Sequence, residues 1–104
     1  MSCVDIQHVR NLCERCRRRG LRQLLCIAAC LNVEGMLIYN AEVQITRDKV
    51  SELAKIEVDE ETYRAVVGEL NGKVVRGYAL AAYAAAALCK ELVRVLGGRK
   101  LPEA

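Results

Sequence analysis

The sequence predicts a mainly α-helical fold, a small helical domain with a few short β-strands. Apolar residues recur three and four positions apart through most of the chain, which is the periodicity of one helix face. Residues that cap and end helices divide this pattern into segments of helix length. The chain has 104 residues, the size of one domain. We therefore predict a single helix-rich domain over residues 1–98 and a flexible tail over residues 99–104.

The first two predicted helices cover residues 4–19 and 21–33. Apolar residues at helical spacing form one face of the first helix: Ile6, Val9, Cys13 and Cys16. Gly20 predicts a break after this helix. The second helix is almost wholly apolar, so we expect it to be central, and we expect Gly35 to end it.

Residues 36–46 are compatible with more than one structure. Residues 36–39 form a short apolar run, and residues 42–46 alternate polar and apolar side chains as a half-buried strand does. A short hairpin about Asn40-Ala41 is one arrangement of these runs, although this pair is a weak turn signal.

A third helix is predicted over about residues 47–55. Thr46 or Asp48 is a suitable N-cap, because its side-chain oxygen accepts a hydrogen bond from a backbone N–H of the first turn. The expected inward-facing residues are Val50, Leu53 and Ala54.

A fourth helix is predicted over about residues 60–70, with Asp59 as its N-cap. Asn71-Gly72 is expected to end it, and residues 73–76 are a short strand candidate. The predicted buried stripe of this helix is Tyr63, Val66, Val67 and Leu70.

The last predicted helix covers residues 78–96, and residues 79–89 within it carry no charge. A helix that is apolar on all sides requires burial on all sides, which one small core hardly supplies. We therefore predict a long C-terminal dimerisation helix and a homo-oligomer. The alternative is a central helix wrapped by the chain's own elements. The predicted oligomer interface is Leu80, Ala84, Leu88, Leu92 and Val95.

Five arginines fall within eight residues of the chain: Arg15, Arg17, Arg18, Arg19 and Arg22. The planar guanidinium donates two hydrogen bonds at once, which suits phosphate, so this cluster favours contact with a nucleic-acid backbone. No aromatic residue lies among the arginines, so base stacking is not indicated. The alternative is a solvated face paired with acids of residues 36–77, which carry eight acids against six bases.

A motif spans residues 46–76. A short helix with the pair Leu53-Ala54 is followed by a turn over residues 56–59, a helix over residues 60–70, and a glycine before a short strand. This stretch resembles the core of winged-helix domains, a class of helix-turn-helix DNA-binding proteins in which the second helix enters the major groove.

The resemblance implies a winged-helix-like core that binds DNA. Thr62, Arg64 and Ala65 would lie near the groove, and Lys73 and Arg76 near phosphate. Residues 55–63 also resemble the strand and first helix of ribbon–helix–helix repressors, which would direct Lys55 and Glu57 to the groove. A third interpretation of the same segment is two ordinary amphipathic elements of a helical domain.

The six cysteines allow three interpretations. They are buried free thiols, or they form one or more disulfides, or four of them bind zinc or an iron–sulfur cluster. Disulfides are rare in the cytosol except in hyperthermophiles, so a thermophile source is one explanation of so many cysteines. The candidate metal ligands, in the order C-x2-C-x9-C-x3-C, are Cys13, Cys16, Cys26 and Cys30.

The sequence favours a non-enzymatic protein. It contains no Ser-His-acid, metalloprotease or phosphate-loop motif, and His8 is its only imidazole. It begins without a secretory signal, and the apolar stretch 78–89 is too short to span a bilayer, so we expect a cytoplasmic protein with no membrane partner.

Three functions follow from these features. We predict a small oligomeric nucleic-acid-binding protein, a transcriptional regulator that contacts DNA or RNA. The alternatives are a non-enzymatic assembly or accessory subunit that oligomerises through the Ala-rich helix, and a cysteine-based metal or redox protein. Only the last of these involves a cofactor.

Overall fold

A computed structural model describes residues 5–95. The predicted mainly α-helical fold with a few short strands is confirmed. The predicted tail, residues 99–104, lies outside the described residues. Between Asp5 and Val95, no helix combines the length and the apolar character needed to cross a membrane. The elements in chain order are α1 (Ile6–Arg19), α2 (Leu24–Ile38), β1 (Glu42–Gln44), α3 (Arg47–Ala54), α4 (Glu60–Val67), one 3₁₀ turn (Gly68–Leu70), β2 (Val74–Arg76) and α5 (Gly77–Val95).

Helix α1 has an N-cap residue, Asp5, and a C-cap residue, Gly20, at its two ends. The carboxylate of Asp5 accepts hydrogen bonds from the N–H groups of Gln7 and His8, which have no partner within the helix. Gly20 ends the helix in the left-handed region, with φ of 66°, which favours glycine. Ile6 is exposed, so the predicted inward face is shorter than expected. The buried residues of α1 are Val9, Cys13 and Cys16.

Helix α2 does not end at Gly35 and continues to Ile38. Gly35 is buried against Gly77, at the start of α5. A Cβ atom on Gly35 would lie 2.7 Å from the carbonyl oxygen of Gly77, and one on Gly77 would lie 2.6 Å from the carbonyl oxygen of Gly35. Gly35 therefore permits close approach of two helix backbones rather than ending a helix. The apolar run 36–39 is consequently the end of α2 and not a strand.

Helices α3 and α4 have the predicted caps. Thr46 Oγ1 accepts a hydrogen bond from the N–H of Lys49 (3.1 Å), and Asp59 Oδ1 accepts one from the N–H of Thr62 (2.8 Å). The fourth helix is shorter than predicted, because Gly68 turns to φ of 51° and the chain continues as the 3₁₀ turn. All four predicted inward-facing residues of this segment are buried: Tyr63, Val66, Val67 and Leu70.

The two strands form one antiparallel ladder across the helix pair. Glu42 lies opposite Arg76, and Gln44 opposite Val74. The strand candidate at residues 73–76 is thus confirmed as β2. A local hairpin about Asn40-Ala41 is wrong, because the partner of β1 comes after α4 rather than from the preceding residues.

The hydrophobic core surrounds α2. Helix α1 packs on one side of it, and α5 packs along another. Leu80, Ala84 and Leu88 of α5 are completely buried within the same chain. For these three residues the predicted oligomer interface is wrong, because the chain's own core already covers them. Leu92 is half-buried, and only Val95 of the predicted interface is exposed.

Candidate nucleic-acid interface

Arg17 is the inward-facing member of the arginine cluster. Its Nε donates a hydrogen bond to the carbonyl oxygen of Ala54 (2.9 Å), and its Nη2 lies 3.1 Å from Glu34 Oε2. Both partners of this ion pair are largely shielded from solvent, with side-chain exposures of 24% and 13%. Arg17 therefore joins α1 to α2 and to the end of α3. It is a structural residue and not the phosphate contact that the sequence predicted.

The other arginines of α1 point to solvent. Arg15, Arg18 and Arg19 are all exposed and lie at spacings of three and four, which places them on one side of the helix. Of the acids between Asp5 and Val95, none forms an ion pair with these three side chains. We call these three residues the outer basic face of α1.

Arg22 links the outer basic face to the turn before α4. Its Nη1 lies 3.4 Å from Glu57 Oε2, and both side chains are mostly exposed, at 63% and 83%. A pair this exposed is screened by solvent and contributes little to stability. Its importance is positional, because it shows that the end of α1 adjoins the turn between α3 and α4.

A shallow groove lies at this junction. It is lined by residues of the α1–α2 turn, α3 and α4, including Arg22, Arg47 and Asp59. The pKa of the Asp59 carboxyl is lowered, mainly by hydrogen bonds from Thr62 and further by the charges of Arg22 and Arg47. Thr62, one of the predicted groove contacts, is half-buried in this cap.

The outward side of α4 is acidic. Glu60 and Glu61 are exposed in its first turn. Arg64 lies 2.6 Å from Glu60 Oε2 through its Nε, so its charge is already compensated. Ala65 is exposed and offers only a methyl group. The outward side of the predicted recognition helix therefore presents the Arg64–Glu60 ion pair and, beside it, the carboxylate of Glu61, which forms no ion pair with any described residue.

Of the two basic residues expected near phosphate, Lys73 lies just before β2 and Arg76 lies within it. Lys73 is exposed before the strand, and its backbone carbonyl accepts a hydrogen bond from the N–H of Ile45 (2.8 Å). Arg76 is also exposed, and its guanidinium donates a hydrogen bond to the carbonyl oxygen of Asn40. Lys55 and Glu57, the pair suggested by the ribbon–helix–helix resemblance, lie in a turn rather than in a strand.

The candidate metal ligands form disulfides. Cys13 is bonded to Cys30, with Cα atoms 4.9 Å apart, and Cys16 to Cys26, with Cα atoms 5.7 Å apart. The four sulfurs are thus consumed in pairs, and none is a thiolate available to zinc or to an iron–sulfur cluster. In the part of the chain that is described, no other group of three metal-binding side chains exists and no cysteine is a free thiol. Cys89 is disulfide-bonded as well.

This pairing follows from two antiparallel helices. Cys13 and Cys16 face α2 from α1, and Cys26 and Cys30 face α1 from α2, so the inner two pair and the outer two pair. The spacings of three and four residues indicate that each pair of cysteines shares one side of its helix. Which cysteine bonds to which is decided by the antiparallel packing of the two helices.

The outward side of α5 remains apolar although its inward side is buried. Tyr78, Tyr83 and Val93 are exposed at 46%, 39% and 43%, and the small residues Ala82 and Ala86 are exposed between them. Along residues 78–89 this side carries no charge, and the exposed Lys90 follows one turn after Ala86. We call these five residues the outer face of α5.

Comparison with family models, with characterised proteins and with solved structures returns no match for this chain. The candidate functional surfaces are the outer basic face of α1, the acidic side of α4 and the outer face of α5.

Proposed function

We propose that this protein binds nucleic acid, and that the outer basic face of α1 supplies the main contact. The observation that carries the proposal is the set of three exposed, uncompensated guanidinium groups on one side of one helix: Arg15, Arg18 and Arg19. Each is suited to the paired oxygens of a phosphate, and together they form a short row of cations such as a phosphate backbone attracts.

The rigidity of α1 supports this proposal. Two disulfides hold the helix to α2, and Arg17 fastens it to Ala54. A cation on a fixed helix loses less conformational freedom on binding than one on a mobile segment.

The order of elements also supports it. The chain runs β1–α3–α4–β2, and β1 pairs with β2 across the helix pair. This matches the order on which the resemblance of residues 46–76 to winged-helix domains rests, two short helices followed by a glycine and a short strand. A wing needs a further strand, and the chain continues instead directly into α5.

The experiment is a mobility shift with a short labelled DNA duplex at low salt, comparing the natural protein with the triple variant R15A/R18A/R19A. We expect the natural protein to bind and the variant to lose most of its affinity. The matched control is R10A. Arg10 is exposed on the same helix but lines the groove between α1 and the end of α2. Equal binding by the natural protein and the triple variant would contradict the proposal.

We infer further that two copies associate through the outer face of α5. An apolar surface on an otherwise charged protein is stabilised when a partner covers it. The same surface favours the second candidate function, an assembly or accessory subunit with no role in nucleic-acid binding.

Light scattering of the natural protein and of Y83D distinguishes these possibilities. We expect a dimer that Y83D converts to a monomer, because the new carboxylate would be buried without a partner. The control is T46S, which lies away from α5 and keeps a hydroxyl to accept the hydrogen bond from the N–H of Lys49. A stable dimer without DNA affinity would favour the accessory subunit.

A further inference from the structure

We propose that the nucleic acid is a duplex, held through its phosphates without reading of the base sequence. This inference rests on the proposed function and deepens it. The feature that carries it is the contrast between the outer basic face of α1 and the acidic outward side of α4, the helix that would have to read bases.

The outward side of α4 opposes entry into a groove. Glu60 and Glu61 are exposed in the first turn, which is the end of a recognition helix that contacts base edges. Phosphates flank a DNA groove on both sides, so the net negative charge that Glu61 leaves beside the Glu60–Arg64 pair would meet charge of the same sign. Arg64 would have to leave Glu60, from which it is separated by 2.6 Å, before it contacted a base.

No other described side chain on this side is suited to base reading. Thr62 is half-buried in the cap with Asp59, and Ala65 carries a methyl group only. Specific reading requires donors and acceptors directed at base edges, whereas arginine on phosphate contributes affinity without sequence information. The described surface therefore supplies phosphate contacts, which contribute affinity without reading the base sequence.

The outer basic face is suited to a duplex rather than a single strand. Its three cations span roughly 6 Å along the helix axis, and a duplex carries phosphate at about twice the axial density of one strand, one per roughly 1.7 Å against roughly 3.4 Å, so this short row attracts a duplex more strongly than a single strand. Proteins that bind single strands add aromatic side chains on which bases stack. Neither α1 nor the turn after it contains Phe, Tyr or Trp.

The test measures the affinity of the full chain, by fluorescence anisotropy, for three DNA duplexes of unrelated sequence and for their separated strands. We expect the three duplexes to bind equally within about threefold, and each more tightly than its strands. With three phosphate contacts, log K should fall against log salt with a slope of about −2.7, so affinity falls about 40-fold from about 50 to about 200 mM salt.

Single variants assign the contacts. R18A should weaken binding to all duplexes alike and make the slope shallower by about 1. R10A, which removes one charge from the same helix but outside the outer basic face, should leave the slope unchanged. R64A should leave the relative affinities of the three duplexes unchanged.

The outcomes separate this inference from the proposed function. A preference of more than about tenfold for one duplex that R64A abolishes would mean that α4 reads bases, and it would overturn the inference while leaving nucleic-acid binding intact. Tighter binding to single strands would overturn the choice of a duplex. Absence of binding to every probe at about 50 mM salt would overturn the proposed function and this inference with it.

Discussion

Removal of one disulfide between α1 and α2 tests how this small fold is held together. The double variant C16A/C26A deletes the inner bond and keeps the outer one between Cys13 and Cys30. Both sulfurs of the inner bond are buried, and Ala is small enough to occupy either position without a clash. The change therefore removes a cross-link with little disturbance of the helices.

The magnitude follows from the loop that the bond closes. Cys16 and Cys26 are separated by 10 positions, and Cys13 and Cys30 by 17. Loop-closure entropy depends on the logarithm of loop length, so either bond restricts the unfolded chain by about 3 kcal/mol. Domains of this size unfold with a total of about 5–15 kcal/mol, so one bond is a large part of the stability. The thermal midpoint should fall by roughly 12–24 °C.

The assay is guanidinium denaturation of both proteins, followed by circular dichroism. Under oxidising conditions we expect the variant to lose about 3 kcal/mol of unfolding free energy and to show a larger denaturant slope, because its unfolded chain is less restricted. The matched control repeats the comparison in strong reductant. There neither protein keeps a disulfide, so the difference should shrink to the packing effect of the lost sulfur atoms.

Two results would refute this reasoning. A loss below about 1 kcal/mol under oxidising conditions would mean that the bond does not restrict the unfolded chain. An equal loss in oxidising and reducing conditions would mean that packing, and not the cross-link, accounts for the effect.

Three further predictions concern packing, a partly buried ion pair and a buried hydroxyl. G35A should lower unfolding free energy by more than about 2 kcal/mol, because its Cβ would meet the backbone of α5, whereas A86G on the exposed side of α5 should cost only about 1 kcal/mol; denaturation compares them. R17A should cost about 1–3 kcal/mol and R18A less than about 0.5 kcal/mol by the same assay, since only Arg17 has shielded partners. Y63F should cost about 1 kcal/mol, because the hydroxyl lies 3.0 Å from a backbone carbonyl oxygen. Burial raises the pKa of Tyr63, so the stability that this group contributes is complete below pH of about 10 and is lost as pH rises through the folded pKa; Y63F should weaken this alkaline loss in a pH titration of the denaturation midpoint.

Helix positions were the most predictable part of the fold. Thr46 and Asp59 cap the helices that they were expected to cap, and Gly20 ends α1, because capping depends on residues within one turn of each other. The prediction that Gly35 ends α2 is wrong because it also rested on neighbours in sequence alone. The local sequence is typical of a helix end, whereas the glycine is required by the close approach of Gly77.

The candidate interface was predictable in part. The spacing of Arg15, Arg18 and Arg19 indicates a shared side of a helix, and these three are exposed as a phosphate contact requires. Arg17 is the same type of residue and belongs to the same run of arginines in the sequence. It is nevertheless withdrawn from the surface, because Ala54 and Glu34 approach it from α3 and α2.

The amino-acid sequence by itself determined which segments are helices, where most of them begin, and which side of each is apolar, because these depend on contacts three or four residues apart. Tertiary structure alone decided which apolar sides meet. It paired Cys13 with Cys30, joined β1 to β2 across two helices, and buried Leu80 in the core. These contacts join residues far apart in the chain, and their free energy depends on the shape of both surfaces at once, which no local pattern contains.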